Sequence, residues 1–218
     1  MQFIGDLFSK IDTISIFSVL VFFLIKRPKT EGAFYWFMGF VFSMCTFNLV
    51  AEIQYFLVLY FHFNSNNLIF YHLACILYVI TLSKFFKLLI LSKWNKRIDI
   101  IFLIPFILLS IINFIYLKRT FTIYGLTSIW VAIKCMFYYT SEFTNPTKRD
   151  ILKNKIFWII SGLFLYFSVT FFIFLTWDFF FESSLLSKNF FFARLWLVHN
   201  IILFISCCFF IKGISCKE

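Results

Sequence analysis

Charge is scarce in this sequence. Only 14% of the 218 residues are Asp, Glu, Lys or Arg, against about 25% in an average soluble domain. Glycine and proline are scarce too, at 6 and 3 residues. So few of either largely exclude long loops and Gly-rich phosphate cradles. Polar surface is short on the scale a soluble fold needs, because 62% of the residues are hydrophobic and 37 are Phe. A core of that size would leave too little polar surface to cover it, which excludes an ordinary soluble domain. The same apolar content excludes disorder. What is present is long uninterrupted apolar runs, the composition of a multi-span membrane protein.

A spanning helix needs about 20 mostly apolar residues, and seven segments qualify. They run from about Asp12 to Ile25 (short unless Phe8 joins), Ala33 to Phe63, Asn67 to Leu91, Ile98 to Tyr116, Phe121 to Thr140, Ile156 to Trp177, and Leu195 to Ile211. The second is too long for a simple span and is expected to cross from Ala33 to Glu52, then continue as helix or interfacial segment. Barrel strands do not fit, because the runs are continuously apolar and about twice barrel-strand length. Helices satisfy their own backbone in lipid. The fold expected is therefore all-α, with residues 1–218 forming one seven-helix transmembrane domain.

Charge placement tests the count, since short cytoplasmic loops carry excess Lys and Arg. With the N-terminus outside, the inner loops, the C-terminal tail and the inner ends of spans hold fifteen of the 20 basic residues. The outer segments hold five: Lys10, Lys118, Arg119, Lys188 and Arg194. The acidic residues divide evenly, five and five. The whole net charge of +10 then lies on the inner face, where anionic lipid attracts it, and no nucleic-acid partner is needed to explain it. An odd number of spans follows, with the C-terminus inside. The first run has no basic stretch before it and no small-residue cleavage site after it. It is expected to be retained, held by Lys26, Arg27 and Lys29.

Six cysteines, mostly within spans, lack C-x-x-C spacing and are expected to be packing residues. No metal ligand set or cofactor motif is present. Intramembrane ionisable residues are costly and are functional hypotheses by default. At 1.5 Å per residue, Asn48 and Glu52 close span two, His72 opens span three, and His199 and Asn200 open span seven. These five, with Asp12, Tyr71 and Trp177 nearby, fall in one outer layer and are the expected ligand or proton site. A carboxylate facing two imidazoles would make a proton sensor. The alternative is interfacial residues wetted by headgroups. Lys84, Lys87 and Lys134 are expected to snorkel toward the inner surface, as lipid or partner contacts. Pro105 removes one hydrogen bond from span four.

Enzyme motifs such as H-E-x-x-H and G-x-S-x-G are absent, and no catalytic residue is expected. Arg194-x4-His199 matches a short nuclease pattern, but it opens a lipid-embedded helix. Arg194 with Trp196 reads better as an interfacial anchor.

Two stretches of the C-terminal third carry a resemblance. Phe157-Trp158-x-x-x-Gly162-x-x-x-Tyr166 is followed by Leu195-Trp196-x-x-His199. Together with Glu52 and the Asn66–His72 stretch, they resemble a group of uncharacterised bacterial seven-helix membrane proteins often encoded near sensor histidine kinases. The resemblance implies a sensor-like or accessory inner-membrane protein without its own output domain. It would signal to a kinase or effector through its basic loops, as a monomer or an oligomer. A channel or small-solute transporter is the alternative. A membrane accessory of a bacterial defence system of the CRISPR type is a third reading.

Overall fold

A computed structural model of the chain describes residues 10–26, 28, 32–61, 68–90, 93–116, 120–144, 150–181 and 188–216. Among them are seven α-helices and no strand. We number them α1 (Ile11–Lys26), α2 (Ala33–Phe61), α3 (Leu68–Leu89), α4 (Lys93–Tyr116), α5 (Thr120–Thr144), α6 (Lys155–Phe181) and α7 (Lys188–Ser215). A 3-10 turn at Ile151–Lys153 precedes α6. Each helix coincides with one apolar run. α2 is a single continuous helix of 29 residues, roughly 44 Å long, so its long run does not fold back on itself. Phe8, Phe63 and the side chains of Tyr71 and Trp177 lie outside the described residues, as do Arg27 and Lys29.

Four helical stretches are long and apolar enough to cross a membrane, namely Ala33–Gln54, His72–Leu89, Lys155–Phe174 and Arg194–Ser215. The chain is therefore a helical membrane protein. The other three helices fall short of that measure for visible reasons. α1 is described over only 16 residues. α4 has its side chains described only over residues 97–112, and α5 carries Lys134 among several Thr, Ser and Tyr.

Six helices close a ring. α1 packs on α2, α2 on α3, α3 on α5, α5 on α6, α6 on α7, and α7 returns to α1. α4 lies outside, against α3 and α5, with Ile101, Ile104 and Leu108 exposed on its outer face. Pro105 also faces outward, so the hydrogen bond it removes is on the unpacked side.

Contacts fix two ends of the bundle. At one, Phe23 of α1 meets Phe34 of α2 at 6.2 Å between ring centroids. The Lys155 ammonium lies 5.3 Å from the Phe34 ring and that of Lys212 5.9 Å from Trp158. This is the basic end. At the other, Thr13 donates a long hydrogen bond of 3.4 Å to Glu52, and Phe174 of α6 meets Tyr124 of α5 and His199 of α7.

Phenylalanine fills the basic half. Phe37 touches Phe85 of α3 and Phe210 of α7, at 6.1 and 5.1 Å. Phe40 touches Tyr78 and Phe167, at 5.2 and 6.0 Å. All but Tyr78 are at most 2% exposed. In lipid the association of helices rests on packing rather than on release of apolar surface from water. Interlocked rings supply it, at about 0.5–1.5 kcal/mol per pair. The Ser43 and Thr127 hydroxyls do not disturb this core, because they bond back within their own helices. Ser43 donates to the Gly39 carbonyl at 2.8 Å and Thr127 to that of Ile123 at 2.9 Å, the arrangement available to Ser and Thr four residues along a helix.

Candidate functional site

Glycine brings α6 and α7 together. A Cβ on Gly162 would stand 2.6 Å from the Phe210 ring and 2.9 Å from the Ser206 carbonyl oxygen. Trp158, Gly162 and Tyr166 recur every four residues and so share one helical face. That face meets α7 throughout. Trp158 stacks on Phe209 at 5.7 Å, Gly162 admits Phe210, and Tyr166 meets His199 at 5.5 Å. The motif read in the sequence is thus the α6 side of one interface, and Leu195-Trp196-x-x-His199 is part of the other side.

Above that interface the packing opens. A cavity of about 330 Å³ lies in the half opposite the basic end. α2 lines it with Met44, Asn48, Ala51 and Gln54, a helical stripe. α3 contributes Phe70 and Tyr78, and α5 contributes Tyr124. α6 adds Tyr166 and Phe174, and α7 adds Trp196, His199 and Leu203. Tyr78 belongs to both regions, since it lines the cavity and packs on Phe40.

His199 is 6% exposed. Trp196 stacks on it at 4.9 Å and 22°, and Phe174 lies 6.0 Å away. With Tyr166 these rings hold the imidazole on three sides. Its Nδ1 has no hydrogen-bond partner among the described residues, and neither has the buried Gln54 Oε1.

The expected outer site is partly assembled. Asn48 and His199 line the same cavity. His72 and Asn200 are buried, at 7% and 1% exposure, but do not line it. Glu52 goes elsewhere. It accepts from Thr13 and interacts with Asp12 on α1. Glu52 thus stands against α1 and is not among the described residues that line the cavity with His199. Four residues along a helix turn about 40° past a full circle, enough for Asn48 to face the cavity while Glu52 faces α1.

Lys134 also differs from expectation. It does not snorkel outward. Its side chain is 1% exposed and its ammonium lies 2.6 Å from Asp99 of α4. Trp130 donates to the same Asp99 oxygen at 3.3 Å and stacks on Phe102 at 5.0 Å. A buried ammonium needs a paired anion, and α4 supplies one. Lys84 and Lys87 are exposed on α3, as a surface contact requires. Cys45, Cys75, Cys135 and Cys207 are buried free thiols. No group of three or more His, Cys, Asp or Glu that would hold a metal occurs among the described residues.

The sequence did not point to Gln54, Tyr124 or Tyr166 as cavity residues. The available signal was the four-residue spacing that puts Tyr166 in line with Gly162, toward α7. Set against known protein families, curated proteins and solved structures, the chain matches none of them.

Proposed function

We propose that the chain is a bacterial inner-membrane sensor or accessory protein. In this reading it spans seven times, N-terminus outside, C-terminus inside, in one helical bundle. It binds a small molecule in its outer half and signals through its basic inner loops to a kinase or effector. Lys84 and Lys87 add to the inner surface that a partner or lipid headgroups meet. The fifteen-to-five division of basic residues supports the orientation. The resemblance of the Trp158–Tyr166 and Trp196–His199 stretches to kinase-associated seven-helix proteins supports the partner class.

One observation carries the reading, a cavity opposite a closed aromatic packing. A sensor needs a pocket reached from one side, whereas a channel needs a continuous pathway. Five helices share the cavity lining. A ligand there touches all five at once, and differential contact of that kind shifts a conformational equilibrium. α6 and α7 run from the cavity to the basic end as helices of 27 and 28 residues, so a shift at one end moves the other.

The test is to reconstitute the chain in nanodiscs, with exposed Cys208 and half-buried Cys216 replaced by Ser. Spin labels are placed at Lys84 and Lys153, and their separation is measured with and without 4-bromophenol. A ligand-dependent change supports the sensor. An unchanged separation, together with solute flux in liposomes, supports the channel instead.

A further inference from the structure

The cavity specifies a chemical class, and this inference rests on the cavity being a binding site, as above. We infer that it takes a small, neutral, ring-shaped molecule bearing one hydroxyl or N–H group, of the phenol or indole kind.

Size comes first. About 330 Å³ is the room of roughly eleven waters, at the small end of ligand pockets. It suits a molecule of one or two rings. Shape follows from the walls. Tyr78, Tyr124, Tyr166, Phe174 and Trp196 all line it, and aromatic faces favour a flat partner in offset or edge contact.

Charge is excluded next. Among the described residues, no Asp, Glu, Lys or Arg lines the cavity. An ionised ligand would give up its hydration with no opposite charge to receive it.

Polarity is nonetheless required. His199 is 94% buried by its 6% exposure, and its Nδ1 lacks a hydrogen-bond partner among the described residues, like the Gln54 Oε1. A buried polar atom without a partner costs about 1–3 kcal/mol, so these atoms favour a ligand that supplies one. Two tyrosines at the wall are already engaged. Tyr124 interacts with the Cys75 thiol, and Tyr166 with Thr170. The neutral imidazole offers a donor or an acceptor according to its tautomer, and Gln54 offers an acceptor. One hydroxyl or N–H answers either.

Brominated probes test this, because bromine quenches a neighbouring indole. 4-Bromophenol, 4-bromotoluene and 4-bromobenzoate are titrated into the full chain in nanodiscs at pH 7. The quenching lost in Trp196→Phe is taken as the cavity signal, and concentrations are referred to the lipid phase. The phenol is expected to bind about fivefold more tightly than the toluene, the worth of one net hydrogen bond. The benzoate is expected to give no saturable signal. His199→Phe or Gln54→Leu should bring the phenol-to-toluene ratio toward one while the toluene still binds. Should either variant fail to insert, the wild-type ratio decides alone. Equal binding of phenol and toluene, or saturable binding of benzoate, overturns the inference and leaves the cavity reading intact. Absence of any saturable signal from all three overturns the cavity reading as well.

Discussion

The two halves of the bundle use the same residue types for opposite ends. In the basic half, Phe37, Phe85, Phe167 and Phe210 pack in ring-to-ring contacts and are at most 2% exposed. In the other half, Tyr, Trp and Phe stand around a space of about 330 Å³. What differs is the small residues. Gly162 draws α7 against α6 where the rings interlock. Ala51 and Asn48 leave the space open on α2. Aromatic content alone therefore does not say whether a membrane bundle is packed or hollow. The placement of small side chains against the rings decides.

The contrast can be broken from the packed side. Removing Asp99 leaves the Lys134 ammonium buried without its anion, and losses of about 3–5 kcal/mol accompany such removals. Asp99→Ala should therefore give the largest fall in thermal stability in detergent. The double variant Asp99→Leu/Lys134→Met should recover most of it, because an apolar pair carries no desolvation cost. Phe37→Ala comes next. It removes the ring that joins α2 to α3 and α7, at about 3 kcal/mol, and should extend the cavity toward the basic end. Leak of a small solute from liposomes is the readout, with leak expected from the variant and none from the parent.

Gly162→Ala is a milder insult. Its Cβ collides with Phe210 and the Ser206 carbonyl, and overpacking of this kind costs about 1–3 kcal/mol. Phe210→Leu in the same chain should restore part of the loss in a thermal scan. The smallest effect lies outside the membrane. Lys153, 3.0 Å away, holds the Asp150 carboxyl below its usual range, and Asp150 accepts from the Leu152 amide at 3.2 Å. A depressed carboxyl stabilises above its unfolded value, near pH 4, and its contribution is lost as pH falls through the folded value. Amide exchange at Leu152 should quicken only below that range, with the bundle unaffected.

The helices were legible in the sequence because spanning runs are long and unbroken, and α2 and α3 begin within a residue of where hydropathy puts them. Depth was legible for Asn48 and His199 because 1.5 Å per residue converts position to height. Azimuth was not. Helices apolar on every face carry no stripe that says which side is inward, and so nothing in the sequence said that Glu52 would meet Thr13 of α1. Adjacency was hidden as well. Nothing local to Lys134 says that α4 will bring Asp99 to it, since the pairing is set by how α4 packs on α5.

The contrast between the halves is tested most directly by thiol accessibility along α2, in a chain whose exposed Cys208 and half-buried Cys216 are replaced by Ser. A cysteine at Asn48 should react with a small impermeant thiol reagent added from the outside, and not from the cytoplasmic side. A cysteine at Phe37 should resist the reagent from both sides. Labelling at Phe37 from either face, or labelling at Asn48 from the cytoplasm, would contradict a bundle that is hollow outside and closed within.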